Sequence, residues 1–268
     1  MGSGTSHGVP VIGCSCPVCT STDKRDARFR SSLYIKGKNG ERIVVDTGPE
    51  FRLQAVRAGI DHLDALLLTH SHADHLHGLD DIRPLTWEKP LPIFANGHTI
   101  KEVEDRFAYI WQKTQRGGGK PRVGLNEVTK PWSLNNIKIT PIPVFHGNLS
   151  ILGWKFKEDE FEAAYITDCS RMPDTSFEML DNISLLIIGS LRMEKHETHY
   201  SFDESLELVH RLAQREKTPK LKQVYFTHIA HSYSHKLITK YCKEQCKKLN
   251  ITGISVKPAF DMLKISSW

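Results

Sequence analysis

The chain has 268 residues, 39% of them apolar, and carries 36 Lys and Arg against 31 Asp and Glu for a net charge of +5. That length allows one large domain or two small ones, and no run approaches the roughly 20 consecutive apolar residues of a membrane helix. The opening MGSGTSHGVP lacks the charged and hydrophobic regions of a signal peptide; a cytoplasmic site with no membrane attachment is expected, and the mild basic excess suits an anionic substrate without singling out nucleic acid.

The first signal in chain order is VIGCSCPVCTS, which sets Cys14, Cys16 and Cys19 within six positions and supplies no fourth cysteine nearby. In a reducing compartment CxCxxC reads as metal-binding rather than as a disulfide framework. It is three quarters of a tetrahedral zinc site, whose structural form closes with four protein ligands.

Arg28–Ile35 and Arg42–Asp46 flank the turn-rich KGKNG and predict a hairpin. Strands are expected at Leu63–Thr69, Leu91–Ala95, Ile137–Phe145, Ile151–Lys157, Phe161–Thr167, Ile183–Gly189, Leu221–Thr227 and Ile254–Lys257. Helical spacing joins Ile100, Val103, Phe107, Ile110 and Trp111, then Phe202, Leu206, Val209 and Leu212, then Leu237, Tyr241 and Leu249. Strands mixed with helices in this way give an α/β chain whose sheets are covered by helices. Gln115–Trp132, dense in Gly, Pro and basic residues, is expected to be a mobile loop able to meet an anionic substrate. CKEQCKKL is expected to be the solvated face of a helix. No linker divides the chain, so residues 1–268 are expected to form one domain.

Three predicted strands end alike, in LLLTH at His70, AYITD at Asp168 and VYFTH at His228, and ITPIPVFH delivers His146 in the same manner. Buried strands emerging at one sheet edge are where α/β folds gather ligands and catalytic groups. The first of them opens into THSHADH, which supplies His70, His72, Asp74 and His75 on one turn. Two histidines two apart point the same way on extended backbone, whereas Asp74 and His75 can turn to a neighbouring position. That division suits two metals. Mixed imidazole and carboxylate donors fit Zn, Mn or Fe.

THSHADH, followed in order by His146, Asp168 and His228, resembles the metallo-β-lactamase family over essentially the whole chain. The resemblance implies an α/β fold in the form of an αββα four-layer sandwich with a dinuclear site at one edge. His70, His72 and His146 would hold one catalytic divalent metal, Zn or Mn. Asp74, His75 and His228 would hold the second, with Asp168 bridging. Asp46, in VVDTG, resembles the aspartate that orients a histidine ligand in such enzymes; an Asx turn before Gly48 is the alternative. His231, three residues past His228, is one ligand too many for two metals and is the candidate to close Cys14, Cys16 and Cys19 into a structural zinc site. Cys242 and Cys246, four apart on a predicted helix, are the competitors. GSGTSHGVPVIGCSCPVCTS together with THIAH resembles the phosphoribosyl cyclic phosphate phosphodiesterase branch of the family, which also implies a homodimer. Members of that branch place a short strand ahead of GSGTS, where this chain has only Met1, so a first strand is expected to be missing.

A bridging hydroxide between two metals, with the metals neutralising oxygen charge in an in-line displacement, suits hydrolysis of a small, cyclic phosphodiester. A leaving alkoxide also needs a proton. HETHYSFDES offers His196 and His199 ahead of the SxxE capping box of Ser201 and Glu204. His199 then lies just outside a helix N-terminus, which favours anions; by resemblance it is the general acid, with His196 the runner-up. Asp74 and His199 are therefore the expected catalytic residues. The alternatives are an RNA-processing nuclease or a thioester or lactam hydrolase on the same fold, or a non-enzymatic zinc-stabilised module that binds nucleic acid. Seven potential ligands on separate segments exceed what a purely structural zinc needs.

Overall fold

The computed structural model describes residues 1–113, 119–215 and 220–266. Twelve strands among them form two sheets. The first carries β1 (Leu33–Lys36), β2 (Arg42–Val45), β3 (Ala65–Leu67), β4 (Leu91–Ala95) and β5 (Val123–Glu127) in that order. The second comprises β6 (Trp132–Leu134), β7 (Ile137–His146), β8 (Leu149–Glu158), β9 (Phe161–Ile166), β10 (Leu185–Gly189), β11 (Gln223–Thr227) and β12 (Ser255–Pro258), each beside the next.

Side chains alternate across a strand, so each strand serves two cores. Val44, Leu66 and Ile93, paired in register across β2, β3 and β4, face outward. There they join Phe51 of α1 (Phe51–Ala58), Leu76 of α2 (Ala73–Leu76), Ile82 of a 3-10 helix and Val103 of α3 (Gly97–Arg106). Their neighbours Ile43, Val45, Ala65 and Leu67 face inward and meet Ile139, Trp154, Phe156, Tyr165 and Ile187 of the second sheet. Beyond that sheet, Ala164, Ile166, Leu186, Ile188, Val224 and Phe226 pack against Phe177 of α4 (Asp174–Glu178), Leu206 and Val209 of α5 (Phe202–Ala213), and Ile238 and Cys242 of α6 (His235–Lys248). Helices, sheet, sheet, helices: the layers are those of an αββα sandwich. Burial of each large apolar side chain in the middle layer contributes about 1.5–3 kcal/mol, the main term joining the sheets.

Strand direction sets the chemistry's position. β2, β3 and β4 are parallel, as are β9, β10, β11 and β12. β7 runs with β9 because each is antiparallel to β8 between them. At the edge where these strands end, Leu152 N of β8 donates to Thr69 O beyond β3 at 3.0 Å, tying one sheet to the other.

Two expectations need correction. The predicted strand Arg28–Ile35 is regular only from Leu33; its first half pairs through isolated bridges with the N-terminal residues, Arg28 with Val9, Arg30 with Gly4 and Ser32 with Gly2. The stretch Gln115–Trp132 is not all loop. It contains β5, paired with β4 from Leu91↔Val123 to Ala95↔Glu127, and Trp132 starts β6. Only Val123 and Leu125 of β5 are even half-buried, the weak alternation of an edge strand, and surrounding Gly and Pro mask it. Residues 115–118 lie outside the described residues.

Candidate metal centre

Each strand at the shared edge hands over to a residue that turns toward a common point. Asp46 after β2, Asp168 after β9 and His228 after β11 adopt left-handed backbone, with φ of 62°, 52° and 56°. Such a conformation costs a non-glycine residue roughly 1–2 kcal/mol and persists only where surrounding contacts enforce it. His70 follows β3, His146 ends β7, and the short α2 opens at His72 to carry Asp74 and His75 inward.

Donor atoms of His70, His72 and His146 lie within 4.8 Å of one another, and so do those of Asp74, His75, Asp168 and His228. The second group is buried throughout; in the first, His70 is buried, His146 half-buried and His72 exposed. Asp168 connects the sets: Oδ2 is 3.8 Å from His70 Nε2, and Oδ1 is 3.4 Å from His75 Nε2 and 3.1 Å from His228 Nε2. Asp74 Oδ2 stands 3.1 Å from His75 Nε2 and 3.4 Å from His228 Nε2.

Behind the donors, hydrogen bonds fix which nitrogen faces the cluster. Asp46 Oδ2 accepts from His75 Nδ1 at 2.7 Å and from Thr69 Oγ1 at 2.8 Å, while Oδ1 accepts from Thr69 N at 2.8 Å. Because Thr69 gives its proton to Asp46, its oxygen accepts from His70 Nδ1 at 3.0 Å. His146 Nδ1 donates to Thr198 O at 2.7 Å. In all three rings Nδ1 is engaged by the partner behind it and Nε2 is turned inward, the arrangement that orients metal-ligating histidines. Nε2 of His70 and of His75 are buried with no hydrogen-bond partner among the described residues. Ring nitrogens facing carboxylate oxygens in this way form a donor set that a divalent cation would satisfy.

The charges agree. Burial alone would lower the His75 pKa, but Asp74, Asp168 and Asp46 raise it well above the usual value. Burial would raise Asp168, yet His228 and His75 hold it well below the usual carboxylate range. Burial pushes Asp46 up against the pull of His75 and Thr69, and lowers His70 strongly, helped by the charge of His75. The Asp168 carboxylate is thus ionised and His70 neutral, whereas His75 holds a proton that a bound cation would displace.

His199 approaches from another side, with a donor atom within 4.8 Å of those of His146 and Asp168. Its ring is stacked on His228 at 4.9 Å between centroids and lies 4.7 Å from His146. Burial, assisted by His228, pushes its pKa down to about 3. His196 is exposed, 5.1 Å from His199 between centroids, and its Nδ1 accepts from Thr198 N at 3.3 Å. Ser201 caps α5 in a full capping box with Glu204, so His199 sits two residues ahead of that cap.

The three N-terminal cysteines meet His231. Cys14, Cys16 and Cys19 each place Sγ 3.5 Å from His231 Nδ1. Tetrahedral zinc with bonds of about 2.3 Å to sulfur and 2.0 Å to nitrogen separates S and N by about 3.5 Å, so the four residues fit the ion. Val11 N donates to Cys19 Sγ at 3.3 Å and Cys19 N to Cys16 Sγ at 3.4 Å, bonds suited to thiolates. The Cys19 amide, then His231, lower the Cys16 pKa to about 6. Cys242 is instead buried in the α6 core and Cys246 packs against the same cluster, so neither competitor joins the three thiols. With zinc held by these four residues, Cys16→Ser is expected to lose it and to destabilise the protein by roughly 3 kcal/mol or more, because structural zinc binding is coupled to folding. Zinc content together with thermal unfolding checks this; a full zinc complement in the variant would sink the assignment.

Several contributors carry little sequence signal. Thr69 is the hydrogen-bond hub between Asp46 and His70, and the Thr198 carbonyl orients His146. Arg106 Nη1 donates to Ser71 O at 2.6 Å, steadying the turn between His70 and His72. Only the repeated Thr ahead of His70, Asp168 and His228 hinted at any of this.

The profile of the beta-lactamase superfamily domain matches residues 41–229. A crystal structure of a diphosphatase from the PhnP family is 37% identical, with a TM-score of 0.83, over 100% of this chain and 96% of that one. Zn(2+)-bound PqqB from Methylobacterium extorquens superposes with a TM-score of 0.78 over 99% of this chain and 98% of that chain; at 16% identity the likeness is one of fold. A Porphyromonas gingivalis protein named octanoyltransferase is 40% identical over 212 residues, 78% of this chain but 42% of its own length. The chain thus spans less than half of that relative.

Proposed function

The chain belongs to the beta-lactamase superfamily as a metallo-β-lactamase fold hydrolase of the PhnP-like branch, and on that footing we propose that it hydrolyses a disubstituted phosphate, a small phosphodiester or diphosphate linkage, at a two-metal centre. The observation that carries this reading is the convergence of two donor sets on Asp168 with His199 set against the same carboxylate. His70, His72 and His146 would hold one metal, Asp74, His75 and His228 the other, and Asp168 both. Bound there, divalent metals supply charge stabilisation to phosphoryl oxygens and a water of lowered pKa as nucleophile.

The protein's own part is positioning. Asp46 and Thr69 fix the rings of His75 and His70, and Thr198 O fixes His146, so the Nε2 atoms are set before any substrate arrives. His199, neutral when the site is empty of anion, gains a proton more readily once a phosphoryl group sits beside it. It is then placed to donate that proton to the departing oxygen. That the 37% identical neighbour is a diphosphatase supports the phosphoryl reading; the octanoyltransferase name of the P. gingivalis relative brings in acyl chemistry.

A panel of bis-aryl phosphate, cyclic sugar phosphate, dinucleotide diphosphate, octanoyl thioester, lactam and labelled RNA, assayed with added manganese, separates these. Turnover is expected on the diester and diphosphate substrates, with phosphomonoesters nearly untouched, since a monoester brings an extra charge and can chelate both metals unproductively. Turnover confined to the thioester or lactam would overturn the reading.

A further inference from the structure

Arg28 is an unusual occupant of the interior. Its side chain is wholly buried beside Asp26, and a buried charge costs several kcal/mol unless paired and hydrogen-bonded. Its guanidinium reaches three oxygens: Nη1 donates to Ala230 O at 2.9 Å, and Nη2 donates to Tyr233 O at 3.2 Å and to Asp26 Oδ1 at 3.3 Å. Ala230 and Tyr233 bracket His231. The backbone of Arg28 exchanges two 2.8 Å hydrogen bonds with Val9, at the head of the loop that carries the three cysteines. Asp26 extends the grip: Oδ1 also accepts from His235 N at 2.6 Å, where α6 begins, and Oδ2 accepts from Ser21 Oγ at 2.8 Å, just past Cys19. One buried pair therefore holds both halves of a ligand set whose members come from opposite ends of the chain.

The same contacts lead to the dinuclear centre. His231 is three residues from His228, and the turn between them is pinned on its other side: Ile229 N donates to Ser3 O at 2.9 Å, and Ala230 N to Leu191 O at 3.0 Å. A shift of His231 has little slack to absorb it before His228 moves. Charge points the same way. Three thiolates and one dication leave a net charge of −1, and Arg28 lies close enough to Cys19 for their charges to interact.

We infer that Arg28, with Asp26, is the positioning residue of the cysteine cluster: it sets His231 against the three thiolates and, through the His228–His231 turn, ties retention of that metal to the geometry of the dinuclear centre. The inference rests on the cluster being a metal site. A Lys at this position keeps the charge but, as a single point donor, cannot span two carbonyls as the planar fork does.

The test uses the full chain loaded with zinc and manganese, and its Arg28→Lys, Arg28→Met and Asp26→Asn variants. Zinc transfer to a chromogenic chelator, the visible spectrum of the cobalt-substituted cluster, and kcat and KM on a bis-aryl phosphate are measured. Zinc release about 10- to 100-fold faster is expected in both Arg28 variants, the scale of losses when a partner behind a ligand is removed, with an altered cobalt spectrum and a fall in kcat at nearly constant KM. Wild-type release rates in folded variants would overturn the positioning role, and so would full rescue by Arg28→Lys, which would leave charge alone as the cause. Should the Arg28 variants fail to fold, near-isosteric Asp26→Asn decides, by faster or by unchanged release. An unsubstituted protein without slowly released zinc overturns the cluster reading itself, a result separable from either of the others.

Discussion

Asp168→Asn is expected to lower kcat/KM for a phosphodiester by about 10³-fold or more while the protein stays folded and the cysteine cluster stays loaded. Asp168 is the one carboxylate within reach of both donor sets, and an amide matches its shape without its charge. Removing a group that stabilises charge directly in a dry site costs about 10²–10³-fold by itself; losing a shared ligand adds impaired metal binding. Asp74→Ala should follow it, leaving the fold and abolishing turnover, because Asp74 serves His75 and His228 alone and little packing depends on it. Metal analysis and steady-state kinetics on the same samples check the claim. Asp168→Asn protein with two exchangeable metals and undiminished turnover would refute the shared-ligand role.

The linkage of charge to stability sharpens the comparison. In metal-free protein the raised pKa of His75 contributes stability that is complete below about 6.5 and lost as pH rises through its folded value. The depressed pKa of Asp168 contributes stability present above about 3.9 and lost as pH falls through its folded value. Metal binding needs His75 neutral, so loading displaces its proton, and acid weakens the metal. Asp168→Asn removes one of the three carboxylates that hold this proton and should reduce the proton release that accompanies loading.

Much of this centre is written locally in the chain. THSHADH delivers four donors in six residues, and strand C-termini announce themselves by apolar runs that stop at a polar residue, so the sequence already places His70, Asp168 and His228 at one edge. The pairing of His231 with the cysteines was legible for a different reason: it was a surplus ligand beside a short one. What stayed hidden depends on backbone geometry or on partners distant in sequence. The left-handed turns at Asp46, Asp168 and His228 are only weakly marked by residue type, Asp and His tolerating that backbone better than most, and the carbonyl of Thr198 acts through an atom every residue has. Arg28 reads as one more basic residue until the fold buries it. α1 escaped because only Phe51 and Gln54 of its eight residues are buried, too few for a helical stripe, and α2 is a single turn whose residues are dictated by ligation.

His199→Ala is expected to slow hydrolysis by about 10²–10⁴-fold when the leaving group is an alkyl or sugar alkoxide, and far less when it is p-nitrophenolate. A strongly basic alkoxide cannot depart without a proton, whereas a nitrophenolate can, so the defect of a missing acid must grow with leaving-group basicity. Geometry favours His199 over its neighbour: it stacks on His228 and shares reach with His146 and Asp168, while His196 is exposed and occupied with Thr198. Burial pushes the pKa of the ring down to about 3, so its acid form depends on the anionic phosphoryl group beside it. Rates for a series of aryl and alkyl phosphodiesters on wild type, His199→Ala and His196→Ala, with metal content measured alongside, separate the possibilities. His196→Ala should be nearly silent throughout. Equal slowing of all leaving groups by His199→Ala, metals intact, would mean that the ring binds phosphate rather than protonates the leaving oxygen; a leaving-group dependence in His196→Ala instead would assign the acid to the exposed histidine.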